Sequence, residues 1–118
     1  CVWNGVWFEV RRTTGYCAEA HGLYRYPATC CLALDYVTAH PLVIRSRQPG
    51  DRIAPLGLTG SKKLQDLFVD EKIPEALRAN VPVVAHGDTV IWIPGYRIAA
   101  EAAVASATAP SVRITATN

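Results

Sequence analysis

The chain has 118 residues, half of them hydrophobic and 19% charged, with a formal net charge of only +2. That length suits one domain with a single core, and the composition excludes a disordered chain. No apolar run approaches the roughly 20 residues of a membrane span, and the start carries no basic-then-apolar leader.

In chain order, residues 2–12 are rich in aromatic and β-branched residues and predict a strand, with Asn4-Gly5 as a turn or bulge. Residues 13–29 contain Gly15, Gly22 and Pro27 without a steady period, and predict a long loop. Residues 30–35 and 42–47 read as strands. Residues 48–60 hold Pro49-Gly50, Pro55, Gly57 and Gly60, and predict a structured loop. Ser61 is a good helix N-cap, and Leu64, Leu67 and Phe68 follow at the spacing of one buried helical face. Pro74 ends that helix at residues 70–72 and suits the first position of a second short helix over residues 75–79.

Residues 83–85 and 89–93 flank His86-Gly87-Asp88 and predict a hairpin; residues 95–98 extend its second strand past a bend. Residues 99–109 are Ala-rich and fit a helix or a connector. Residues 111–117 alternate as a final strand. The sum is a set of strands around one helix-turn-helix insert, without βαβ alternation. That pattern is α+β, with a mixed or mainly antiparallel sheet.

Two further features bear on origin and compartment. The chain lacks Met and begins Cys1-Val2-Trp3, which fits a domain excised from a larger protein, or a processed terminus. Cys1, Cys17, Cys30 and Cys31 make an even count, which in a secreted protein suggests disulfides. Cys30 and Cys31 are vicinal, however, and point to opposite faces of a strand. The expectation is reduced, structural cysteines and a cytoplasmic setting.

Cys17-x3-His21 with Cys30-Cys31 has metal-ligand residue types. Structural zinc needs four convergent ligands, and a vicinal pair reaches one ion only if its strand bends. Ordinary buried and loop cysteines are therefore the expected reading, with no metal. A Cys–His nucleophile has no supporting signature. Asp66, Asp70 and Glu71 lie along one helix, but Lys62 and Asp66 form an i, i+4 pair on an exposed face. His21, His40 and His86 fall in loops beside Gly or Pro, and read as turn residues.

The segment 45–63 differs. It carries Arg45, Arg47, Arg52, Lys62 and Lys63 against the single acid Asp51, a net +4 in a chain of net +2. Charge concentrated this way marks a polyanion site. A helix N-terminus prefers acids, yet Lys62 and Lys63 fall there, behind a Gly-rich loop. Backbone amides, helix dipole and two ammonium groups together would cradle phosphate. The plain alternative is a solvated charged face. Gly57-Leu58-Thr59-Gly60 matches the G-x-x-G loop of KH domains, but no helix is expected before it. A P-loop is excluded, because Gly-x4-Gly-Lys-Ser/Thr does not occur.

These residues also resemble a family. The run Arg45-x3-Pro49-Gly50-Asp51-Arg52, then Pro55-Leu56-Gly57, Gly60, Lys62-Lys63-Leu64, Asp66, Phe68, Asp70, Lys72-Ile73-Pro74 and Arg78 is similar to the C-terminal domain of bacterial tRNA-lysidine synthetases. It continues through Pro82-Val83-Val84, Ile91-Trp92-Ile93, Gly95 and Arg97, covering about residues 32–98. The resemblance implies a layered β-rich fold related to one in phenylalanyl-tRNA synthetase β subunits. It implies a parent ligase that uses ATP and Mg to join lysine to the wobble cytidine of a minor isoleucine tRNA. The chemistry would reside in an N-terminal catalytic domain with a Ser-Gly-Gly-x-Asp-Ser signature, absent here.

Three functions follow as expectations. The first is a tRNA-binding domain that helps hold the acceptor stem: Arg45, Arg47, Arg52, Lys62 and Lys63 contact phosphates while Gly57 and Gly60 let backbone approach. The second is an interaction or homodimerisation module, its apolar face near Trp3, Trp7 and Phe8 meeting the catalytic domain or another copy. The third is an independent thiol or zinc enzyme.

Overall fold

The computed structural model describes residues 1–17, 22–23 and 25–118. The first hairpin comprises Val2–Trp3 (β1) and Val6–Thr14 (β2), joined at Asn4-Gly5, whose φ angles of 48° and 82° are those of a tight two-residue turn. Ala28–Ala33 (β3) runs directly into a short helix, Leu34–Ala39 (α1), and then Val43–Arg45 (β4). Arg52–Ile53 (β5), Lys62–Lys63 (β6) and the helix Leu64–Asp70 (α2) come next. A 3₁₀ segment, Glu75–Asn80, leads to Val83–His86 (β7) and Thr89–Trp92 (β8). A 3₁₀ turn at Ala100–Ala102 precedes the last strand, Pro110–Thr117 (β9).

Among the described residues, every strand pairing is antiparallel. One sheet has the order β1-β2-β9-β3, a second β4-β7-β8, and β5-β6 form a separate two-stranded ribbon. Along β9, Val112, Ile114 and Ala116 face inward while Arg113 faces out, the period of a half-buried strand. The core gathers Leu32, Val84, Ile91 and Trp92 from the strands with Leu64, Leu67 and Phe68 from α2. The α+β class with antiparallel sheets therefore stands, and so does the buried face of α2. Among the described residues, no helix is long and apolar enough to cross a membrane.

Several local expectations change. Residues 34–39 form a helix that was not expected. Ala33 at its cap position offers no side chain to mark the start, and Tyr36 and Val37 are residues that favour strands. The helix over Glu75–Asn80 is 3₁₀, with Pro74 outside it as the cap residue. Residues 95–98 do not extend β8. The chain turns back so that the Ala99 amide donates to the Ile91 carbonyl, and Ala99 bridges Pro55. The Ala-rich tract resolves into one 3₁₀ turn and a connector.

The cysteine reading is corrected in one respect. Cys30 and Cys31 do face opposite ways, with Cys30 fully buried in the core. Cys31, turned away from it, meets Cys17 in a disulfide with a Cα–Cα distance of 5.7 Å, within the ordinary disulfide range. The opposed faces leave one member of the vicinal pair free to bond. Cys1 and Cys30 remain thiols. Cys17 and Cys31 thus consume each other's sulfurs, and His21 lies outside the described residues.

Candidate nucleic-acid interface

The basic segment leaves β4 at Arg45, turns at Pro49-Gly50, crosses β5 and returns through β6 into α2. Its anchor is Asp51, only 8% exposed. Arg45 donates from Nη1 to Asp51 Oδ2 at 2.8 Å and from Nη2 to Oδ1 at 3.0 Å, and the Gln48 amide adds a third bond at 2.7 Å. Burial pushes the Asp51 carboxyl up, but these hydrogen bonds and the charges of Arg45 and Arg47 outweigh it. They hold the group below its ordinary value. The Asp51 carbonyl accepts from the Leu64 amide at 3.0 Å. One residue therefore ties β4, the loop and the start of α2 together.

The lysines do not sit in the first turn of a helix. Lys62 and Lys63 are β6, and α2 begins at Leu64 with Lys63 at the cap position and no side-chain cap bond. Ser61 is not that cap, because its hydroxyl accepts from Arg52 Nε at 2.9 Å. In place of a helix start the lysines belong to a ladder: Arg52 lies opposite Lys63, and Ile53 opposite Lys62. Directly opposed side chains in an antiparallel pair share a face, so Arg52 and Lys63 present two cations side by side. Both are exposed, and among the described residues neither has an ion pair. Lys62 pairs with Asp70 rather than the expected Asp66, and that hydrogen bond raises its pKa.

Gly57 and Gly60 lie in the loop between β5 and β6, exposed, with φ of 82° and 73°. Those angles belong to the left-handed region that side chains rarely adopt, and they leave the loop backbone bare. Arg97 reaches this loop, its Nη1 donating to the Leu56 carbonyl at 3.4 Å. Arg47 is half-buried and faces a different neighbour. It lines a polar cleft of about 340 Å³ together with Ser46, Gln65, Glu75 and Arg78.

The seven expected site residues therefore take distinct positions. Arg52, Lys63, Gly57 and Gly60 share the exposed ribbon and its loop, with Lys62 beside them bound to Asp70. Arg47 faces the neighbouring cleft, and Arg45 is committed to Asp51. Arg78 and Arg97 had no place in the expected site because they lie far along the chain from segment 45–63. Both belong to the family-like run quoted above, which was the signal that could have found them. The expected apolar interaction face is also divided. Phe8 is buried in the core and Trp3 packs against it, while Trp7 is 62% exposed on the outer face.

A family model described as TilS substrate C-terminal domain matches residues 42–114, which takes in the whole ribbon and more than half of the chain. The chain belongs to this family. A tRNA(Ile)-lysidine synthase of Symbiobacterium thermophilum is 54% identical over 55 residues, covering 47% of this chain and 11% of that protein. The tRNA(Ile)-lysidine synthase of Clostridium perfringens is 37% identical over 83 residues, covering 70% of this chain and 18% of the relative. The matched stretch is thus a small part of each relative's own length. The crystal structure of a TILS C-terminal domain superposes with a TM-score of 0.77 at 27% identity, covering 97% of this chain and 85% of that one. The TilS C-terminal fold therefore extends beyond the matched segment, through the first hairpin as well.

Proposed function

We propose that this domain holds tRNA for a lysidine synthetase, gripping phosphates of the isoleucine tRNA acceptor stem with the β5–β6 ribbon and its glycine loop. The observation that carries the reading is the placement of Arg52 directly opposite Lys63. Like charges opposed in a ladder are destabilising, and a polyanion across both would relieve that repulsion. Lys62, Arg47 and Arg97 extend the basic surface to either side. Arg45 serves it from behind by fixing Asp51. In this reading the lysine transfer, with its ATP and Mg, belongs to a catalytic domain of the same cytoplasmic enzyme. That domain and the tRNA are the partners of this one.

The test is tRNA affinity at several salt concentrations, for the wild-type chain and for Lys62→Ala with Lys63→Ala. The double variant should bind more weakly, and each phosphate contact it loses should lower the slope of log affinity against log salt by about 0.7–0.9. Folding, read by circular dichroism, should be unchanged. Equal affinity and slope would return these lysines to a solvated face. A homodimer joined through exposed Trp7 is the second reading; a monomer mass at all concentrations would dismiss it.

A further inference from the structure

The polar cleft beside the ribbon has three walls. Ser46 and Arg47 come from the segment leaving β4, Gln65 from the first turn of α2, and Glu75, Arg78 and Ala79 from the 3₁₀ segment. The Ser46 hydroxyl donates to the Ala79 carbonyl at 3.1 Å and ties the first wall to the third. At about 340 Å³, the cleft is at the small end of ligand pockets, which run to about 1,000 Å³. It suits one small group.

Its charged groups are not matched to one another. Glu75 and Arg78 stand three positions apart in a 3₁₀ segment, where side chains at that spacing eclipse. Yet among the described residues none of Arg47, Glu75 and Arg78 forms an ion pair. Arg78 is held elsewhere: its Nε donates to the Ile73 carbonyl at 3.0 Å. That bond fixes the half-buried guanidinium and leaves both of its Nη groups to donate. A phosphate alone would suit Arg47 and Arg78, but Glu75 would repel it. A guanidinium fork beside a carboxylate calls for a ligand that accepts on one edge and donates on the next.

We infer that this cleft receives an unstacked guanine base from the RNA gripped by the ribbon. Guanine O6 and N7 accept from the two Nη groups of Arg78, while its N1–H and 2-amino group donate to Glu75. Arg47 meets the phosphate of the same nucleotide. Adenine carries a donor at N6 where guanine has the O6 acceptor, and would set N–H against the Arg78 fork. The pyrimidines lack the O6/N7 pair. This inference rests on the reading of the ribbon as a phosphate grip: phosphate contacts position the RNA, and a base contact adds specificity. Sequence-specific recognition of RNA works mainly on such unstacked bases.

The probes are an RNA stem with a single-stranded uridine extension and the same RNA with one guanosine placed in turn along that extension. At its best position, guanosine should raise the affinity of the wild-type chain about tenfold. The salt slope should stay the same, because a base contact releases no counterions. Inosine, which lacks the 2-amino group, should bind more weakly than guanosine. Glu75 is exposed, so Glu75→Ala should fold; it should bind guanosine and inosine RNA alike, without weakening the all-uridine RNA. Arg78→Lys keeps the charge but loses the fork, and should bring the guanosine preference close to one. Lys62→Ala with Lys63→Ala should weaken both RNAs and keep the preference. Equal wild-type affinity for the guanosine and all-uridine RNAs, with normal salt dependence, would overturn the base site and leave the phosphate grip standing. A stronger preference for adenosine or cytidine would overturn it too. Failure to bind either RNA would sink the phosphate grip, and this inference with it.

Discussion

Arg45 and Asp51 hold the basic ribbon from behind, the guanidinium fork of one meeting both carboxylate oxygens of the other where water is nearly excluded. Breaking such a pair from one side leaves an uncompensated buried charge, at a cost of about 3–5 kcal/mol. Arg45→Ala should therefore destabilise the domain by that amount in chemical denaturation. A loss below about 1 kcal/mol, the size for an ordinary surface change, would show the pair to be dispensable.

The same pair predicts a pH dependence. The Asp51 carboxyl is held below its ordinary value in the folded chain, so the unfolded chain binds a proton first as pH falls. Its stabilisation is fully present above about pH 4, the unfolded carboxylate range, and is lost as pH drops through the depressed folded value. Denaturation of wild type and Asp51→Asn should differ most near neutrality and converge on acidification. A constant gap across that window would contradict the assignment.

Arg52 and Lys63 predict a conflict between stability and binding. Lys63→Glu replaces a repulsive cross-strand pair by an attractive one, and should raise stability by about 0.2–1 kcal/mol. The same change should weaken tRNA binding more than Lys63→Ala does. Thermal melts and affinity measurements on the two variants check both halves. A variant that binds as well as wild type would remove Lys63 from the site.

Phe68 is fully buried on α2 beside Leu64 and Leu67. Phe68→Ala should cost about 3–5 kcal/mol, measured by urea unfolding. If the loss is under about 1 kcal/mol, the ring does not anchor the core.

The Cys17–Cys31 disulfide closes a loop of sequence separation 14. Constraining a loop of that size contributes about 3 kcal/mol. Reductant should lower the melting temperature while the core, including Cys30, remains folded. Thiol titration of the denatured chain should find Cys1 and Cys30 before reduction and all four cysteines after it.

The legible parts of this sequence were those where a local rule and the tertiary fold agree. Asn4-Gly5 specified a turn, Leu64, Leu67 and Phe68 a buried face, and residues 111–117 a half-buried strand. The errors lie where a distant partner decides. Ser61 carries a capping hydroxyl, but Arg52 engages it, and Lys62-Lys63 are drawn into a ladder with residues about ten positions earlier. Charge counting singled out the segment that folds as the ribbon because its residues are close in sequence. It could not tell that Arg45 spends its charge on Asp51, nor bring Arg78 and Arg97 alongside. The disulfide was hidden by a strand alternation that, read correctly, permits it.

The loop that carries Gly57 is fastened by a short cross-brace: the Leu56 amide donates to the Ile98 carbonyl at 2.9 Å, the Ala100 amide to the Ala54 carbonyl at 2.8 Å, and Ala99 in turn to Ile91 of β8. Segment 98–100 thus acts as an intermediate rail between the central hairpin and the ribbon. A ligand arriving there meets a surface already set in shape, so little conformational entropy is lost on docking. Binding should then be fast and weakly temperature-dependent, and its affinity should respond to ionic strength far more than to anything that stiffens the chain.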